Sequence, residues 1–134
     1  MQSLKQILAL AETYEQELPA AHAFLDAPQG AQITAWIDHT LLKPEATASQ
    51  VKKLCEEARQ YHFATVCVNP VYVPLARSLL TDSGVGVCAV IAFPLGATLP
   101  EDKAHEACRV IENGAAEVDM VINLGALKGE SFGL

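Results

Sequence analysis

The sequence predicts an α/β fold in which parallel strands alternate with covering helices. Three observations carry that expectation. Short apolar or β-branched runs alternate with segments of helical periodicity. The later runs are almost continuously apolar, as strands covered on both faces are. The runs start near residues 36, 65, 86 and 117, a mean pitch of about 27 residues; eight such units need about 216, close to the ~250 of a (β/α)8 barrel. Residues 35–134 therefore read as the first half of such a barrel, strands one to four in about three and a half βα units.

The elements follow in order. Residues 1–34 read as a helical N-terminal segment, in which Ser3 and Gln6 form a capping-box pattern and Leu4, Ile7, Leu8 and Ala11 share one face. A second short helix is expected from about Leu18 to Leu25, ahead of the loop Asp26-Ala-Pro-Gln-Gly30. Trp36-Ile-Asp-His-Thr40 is the first strand candidate, followed by a loop through Pro44. Thr47 and Gln50 form a second capping box, opening a helix with Val51, Leu54, Cys55 and Ala58 on one face. The β-branched run Ala64–Val68 must stop at Asn69-Pro70. Pro74 suits the first turn of a helix carrying Leu75, Leu79 and Leu80. After the turn Thr81–Gly84, the apolar run Gly86–Phe93 is a third strand, closed by Pro94-Leu-Gly96. Thr98 and Glu101 suggest a third capping box, with Pro100 in the first turn and Ala104, Ala107, Cys108 and Ile111 lining the helix. Asn113-Gly114 ends it, and Ala116–Ile122 is the fourth strand.

Composition narrows the function classes. Of 134 residues, 51% are hydrophobic and 19% charged, enough apolar material for a core and too little charge for a disordered chain. The net charge is −7 without a basic block, which disfavours nucleic acid and anionic membranes as partners. No apolar run approaches the ~20 residues that span a bilayer, and the run Ile7–Ala11 is too short for a secretory signal, so a cytoplasmic protein is expected. Cys55, Cys67, Cys88 and Cys108 show no CxxC and no finger-like Cys/His spacing; zinc is not expected, and buried free thiols are, for at least three of them. Neither GxGxxG nor a Walker A sequence follows the first strand, so a dinucleotide or P-loop site is not supported.

In a (β/α)8 architecture chemistry gathers at the C-terminal ends of the strands. The first strand candidate ends in Asp38-His39-Thr40, the second in Cys67-Val68-Asn69, and the fourth carries Asp119 with Asn123 just beyond. An acid inside Val-Asp-Met-Val-Ile is costly to bury without a partner, so Asp119 is either functional or a carboxylate that caps backbone or bridges to a lysine. Asp38 is either a pocket acid or a loop or N-cap residue. Cys67 is the one thiol near a strand's catalytic end, where core packing and reactivity are both open. His39 is either a general base or a loop or capping histidine, and His22, His62 and His105 fall on presumed helix surfaces. Lys43 and Lys128 lie in the loops after strands one and four, positioned to reach a phosphate or to stay solvated. No lysine sits in an apolar strand, where desolvation would depress its pKa for imine formation.

At these same strand ends the chain resembles deoxyribose-phosphate aldolases. The segments are Ile37-Asp-His-Thr-Leu-Leu-Lys-Pro44, Val66-Cys-Val-Asn-Pro70, Val90-Ile-Ala-Phe-Pro-Leu-Gly96 and Glu117-Val-Asp-Met-Val-Ile-Asn-Leu-Gly-Ala-Leu-Lys128, together covering about 90 residues in the family's order. The resemblance implies a (β/α)8 barrel and a class I, Schiff-base aldolase that needs no metal or other cofactor. It implies reversible cleavage of 2-deoxy-D-ribose 5-phosphate to D-glyceraldehyde 3-phosphate and acetaldehyde, as part of deoxyribonucleotide and carbohydrate degradation. Asp119 matches the family's proton-relay carboxylate, Asp38 an acid lining the substrate pocket, and Cys67 a pocket cysteine that the imine step does not require. The Schiff-base lysine belongs to a Lys-Thr-Ser-Thr-like strand six and its lysine neighbour to a Lys-Ala-Ser-Gly-Gly-like strand seven. This sequence contains neither segment, nor the glycine-rich phosphate loops of strands seven and eight. A truncated or frame-shifted product, or one half of an intact enzyme, is therefore expected, inactive alone. The alternatives are a non-catalytic half-barrel that self-associates or takes up a complementing half, and a four-stranded α/β binding module.

Overall fold

The structure, a computed structural model, describes residues 30–131. The helical expectations for the N-terminal segment up to Leu25 lie outside the described residues. Four strands, β1 (Asp38–Leu41), β2 (Thr65–Val68), β3 (Gly86–Ile91) and β4 (Glu117–Met120), form one parallel sheet in chain order. Parallel neighbours require crossovers, and the helices α1 (Ala48–Tyr61), α2 (Val73–Leu79) and α3 (Pro100–Glu112) supply them. A short helix α4 (Leu124–Lys128) follows β4, and 3-10 turns occupy Gly30–Trp36 and Pro70–Tyr72.

The Thr47 capping box forms in full. The Gln50 amide donates to Thr47 Oγ1 at 3.4 Å and the Thr47 amide to Gln50 Oε1 at 2.8 Å, satisfying two donors that a helix start otherwise leaves unpaired. α1 then buries Val51, Leu54, Cys55 and Ala58, the face its periodicity predicts. α2 carries Pro74 in its first turn, but its innermost residues are Val73 and Ala76, with Leu80 just past its end; Leu75 and Leu79 are half-buried at the margin. These side chains close over Val66, Val68, Val87, Ala89 and Ile91 from the middle strands, making the main core.

Four local expectations are corrected. Trp36 lies in the 3-10 turn, not in the first strand, because the Ile37 amide turns back to the Thr34 carbonyl at 3.2 Å; β1 starts at Asp38. β3 ends at Ile91 because Ala92 adopts a left-handed φ of 50° that leaves the sheet. The Thr98–Glu101 box does not form. Pro100 opens α3, so Leu99 is the cap and makes no side-chain bond, while Glu101 and Asp102 in the first turn complement the helix dipole instead. The inward stripe of α3 is Lys103, Glu106, Ala107 and Val110; Ala104, Cys108 and Ile111 are exposed. Between α3, β4 and α4 lies an apolar cavity of about 540 Å³, lined in part by Ile91, Ala107, Met120, Ile122 and Leu127.

Candidate active site

The register decides which side chains can meet. Asp38 pairs with Thr65 and Thr65 with Gly86; two residues on, Thr40, Cys67, Cys88 and Glu117 form a continuous row; two further on, Val90 pairs with Asp119. Side chains alternate across a strand, so all of these project from one face. The opposite face carries Leu41, Val66, Val68, Val87, Ala89, Ile91 and Val118 into the helix-covered core. One face is thus apolar, and the other holds acids, hydroxyls and thiols.

Asp38, Cys67 and Asp119 all lie on this polar face. Asp38 is held by Thr65, whose buried hydroxyl donates to Asp38 Oδ1 at 2.6 Å. It is the first residue of β1, not its last, so it sits at the sheet's N-terminal end, while Asp119 lies four register rows further along. Asp119 is exposed, which removes the burial penalty that the apolar sequence around it implies. Cys67 is buried between them.

Sequence reasoning missed two members of this face, Cys88 and Glu117. Both were legible from strand parity: Glu117 lies two residues before Asp119, and Cys88 two before Val90. Cys88 is directly in register with Cys67, and the two buried side chains pack together. Hydrogen bonding from the Cys88 thiol shifts the Cys67 pKa below the ordinary thiol value, against burial and the nearby charges of Asp119, Asp38 and Glu117. The donor, Cys88, is raised correspondingly, first by this bond and then by burial.

His39 does not join these residues. It alternates to the opposite face, where Nε2 lies 2.8 Å from Glu57 Oε2 and the ring stacks on Phe63 at 4.8 Å. The bond to His39 is the main reason the Glu57 pKa is lowered. Its place is structural, tying β1 to α1. His62 caps α1 in a left-handed conformation and His105 is exposed on α3. Lys43 lies in the loop after β1, but Lys128 ends α4 and is not in a loop.

The chain end of the sheet is shaped by Gly96. With φ of +65° and its amide bonded to the Ala92 carbonyl at 2.7 Å, it brings the loop after β3 onto the backbone of Val121 and Ile122. Asn123 caps α4 by accepting from the Ala126 amide at 3.0 Å. The loops at this end of β3 and β4 are therefore fixed against each other. The apolar cavity under α3 opens on the opposite side of the sheet, away from the acids and thiols. Among the described residues no helix is long and apolar enough to cross a membrane.

The class the structure defines is a parallel α/β sheet with carboxylates from its two edge strands on one face. Comparison with known proteins narrows this class. The family model of the DeoC/LacD family aldolase matches residues 33–132, and the chain belongs to that family. It is 62% identical over 103 residues to the deoxyribose-phosphate aldolase of Halalkalibacterium halodurans, covering 76% of this chain and 46% of that protein. Against the Geobacillus deoxyribose-phosphate aldolase it is 65% identical over 96 residues, covering 72% and 43%. The chain thus spans about half the length of the curated relatives it matches. Among solved structures it superimposes on the tetrameric deoxyribose phosphate aldolase from Aeropyrum pernix with a TM-score of 0.67 and 35% identity, covering 92% of this chain and 48% of that one. A Coccidioides immitis crystal structure gives a TM-score of 0.81 at 38% identity, covering 98% and 53%.

Proposed function

We propose that this chain supplies the carboxylate half of a class I aldolase site, acting in the reversible cleavage of 2-deoxy-D-ribose 5-phosphate to D-glyceraldehyde 3-phosphate and acetaldehyde. The observation that carries the reading is the common placement of Asp38, Cys67 and Asp119, from three strands, on one sheet face. In this reading residues 35–134 are strands one to four of a (β/α)8 barrel, residues 1–34 are a helical segment preceding it, and the protein works in the cytoplasm.

The chemistry assigns each group a role. Imine formation and C–C cleavage both need protons moved at neutral pH, and Asp119, exposed on the inner face, is the carboxylate for that relay. Asp38, oriented by Thr65, binds substrate hydroxyls. Cys67 lines the pocket without a chemical step. The inward positions of these strands hold no lysine, so the imine nucleophile comes from a segment matching the other half of the family's length. Borohydride reduction in the presence of acetaldehyde tests this directly. The chain alone yields no reduced adduct by mass spectrometry; an adduct on Lys43, Lys103 or Lys128 would overturn the assignment. In a preparation containing both halves, Asp119→Asn loses retro-aldol activity and keeps its fold.

A second reading rests on the sheet edges. β1 and β4 each pair on one side only among the described residues, leaving backbone groups able to take another strand. A non-catalytic half-barrel that associates with a second copy or a complementing half predicts a dimer or complex by light scattering. A folded monomer at micromolar concentration counts against it.

A further inference from the structure

We propose that Cys67 and Cys88 form a two-coordinate site for a soft monovalent d10 cation of the Cu(I) type. The pair has what such an ion requires. The residues lie directly opposite each other on adjacent parallel strands, where backbones run about 4.8 Å apart. Both side chains leave the same face and pack in one buried cluster, which brings the two sulfurs to the same place on the sheet. Both are 3% exposed and are packed with Val90 and Leu42, so little side-chain freedom remains to be lost on binding.

The ligand set selects the metal. Zinc in proteins takes four ligands, or three and a water. Among the described residues no three His, Cys, Asp or Glu side chains converge into a metal-binding group. Two thiolates alone satisfy a d10 monovalent ion, which accepts linear coordination and prefers soft sulfur donors. The charge also fits. Binding of Cu(I) to the two thiols forms two S–Cu bonds, breaks two S–H bonds, releases two H⁺ to solvent and takes the pair from neutral to −1. Copper stays Cu(I) throughout, so no oxidant or reductant is required. Asp38, Glu117 and Asp119, the charged groups facing the pair from neighbouring strands, are all acidic and exposed, and attract a cation to it. The other two thiols are isolated: Cys55 is buried on α1 and Cys108 exposed on α3.

The test is an anaerobic titration of the reduced 134-residue chain with Cu(I) buffered by a chromophoric chelator, followed by X-ray absorption at the copper edge. One copper per chain is expected, with a first shell of two sulfurs. A Cys55→Ala/Cys108→Ala double variant retains it, and Cys67→Ser or Cys88→Ser loses it. Unchanged stoichiometry in Cys67→Ser, or loss in the double variant, overturns the site. The absorption spectrum of the unsubstituted chain does not depend on how the variants fold. Three or more sulfur neighbours, a nitrogen or oxygen shell, or no retention against the chelator would equally refute the proposal. No aldolase activity enters the readout.

Discussion

Replacing Gly96 by alanine tests how the loop after β3 is fixed to the exit of β4. Gly96 holds φ at +65°, a left-handed conformation that costs a non-glycine residue roughly 1–2 kcal/mol. A Cβ built there also meets backbone, lying 2.8 Å from both the Ile122 carbonyl carbon and the Val121 oxygen, with the Ile122 oxygen closer still. Backbone cannot swing aside as a flexible side chain can, and overpacking of this kind costs roughly 1–3 kcal/mol. The two effects together come to about 3 kcal/mol, a large part of the 5–15 kcal/mol by which domains are usually stable. Gly84 provides the internal control. It has a similar φ of +78°, but a Cβ there finds open space. Gly84→Ala therefore carries only the conformational cost, about 1 kcal/mol. With a urea slope of about 1.5 kcal/mol/M, Gly96→Ala shifts the unfolding midpoint by about 2 M and Gly84→Ala by about 0.7 M. Equal shifts in the two variants would refute the backbone-contact argument and leave only the shared left-handed geometry.

Three further outcomes follow from the packing and the titrating groups. Leu80 is 1% exposed at the centre of the core, so Leu80→Ala loses about 2–5 kcal/mol in denaturant unfolding, and a loss below about 1 kcal/mol would contradict its placement. The Glu57 pKa is held below its ordinary 4.5, chiefly by the bond to His39. A depressed folded-state pKa contributes stability above the unfolded value that is lost as pH falls through the folded one; the stability difference between the parent chain and Glu57→Gln therefore shrinks below pH 4.5, and one that grows there contradicts the contact. Burial, and then the charge of Glu56, push the Cys55 thiol up to about 11, whereas Cys108 is exposed. Iodoacetamide at pH near 8 labels Cys108 in the folded chain and spares Cys55 until denaturant is added, as read by peptide mapping; equal labelling rates would place Cys55 outside the core.

Where one segment of sequence contains both a cause and its consequence, the fold was legible. Thr47, Gln50 and the apolar spacing of Val51, Leu54, Cys55 and Ala58 determine one helix by local rules, and it forms as read. The Thr98–Glu101 pattern looked the same but lost to Pro100, whose fixed φ suits the first helical position and moves the cap to Leu99. Register is not local. A single strand does not reveal which residue of its neighbour lies opposite, so Cys67 reads as a lone thiol although Cys88 lies beside it. Asp38 reads in the last residues of the first strand candidate, but starts β1 because Trp36 belongs to the preceding 3-10 turn. The family resemblance names Asp38, Cys67 and Asp119 without register, and the sheet puts the three on one face. It did not flag Cys88 or Glu117.

The division between the two faces of the sheet explains why one run of residues can be both core and site. In Glu117-Val-Asp-Met120, Val118 packs toward the helices while Glu117 and Asp119 face the other way and are exposed. An acid in an apolar run need not be a buried acid, because a period of two sends neighbouring residues into different environments. The larger hydrophobic cluster lies on the helix-covered face, with Val66, Val87, Ala89 and Ile91, while the opposite face packs only Cys67, Cys88 and Val90 with Leu42 at its centre and leaves Glu117 and Asp119 exposed at its edge. Substitution of the exposed Asp119, as in Asp119→Asn, should therefore change stability little, whereas Leu80→Ala destabilises. A destabilisation by Asp119→Asn as large as that of Leu80→Ala would mean that the two faces are not independent, and that Asp119 holds the sheet together.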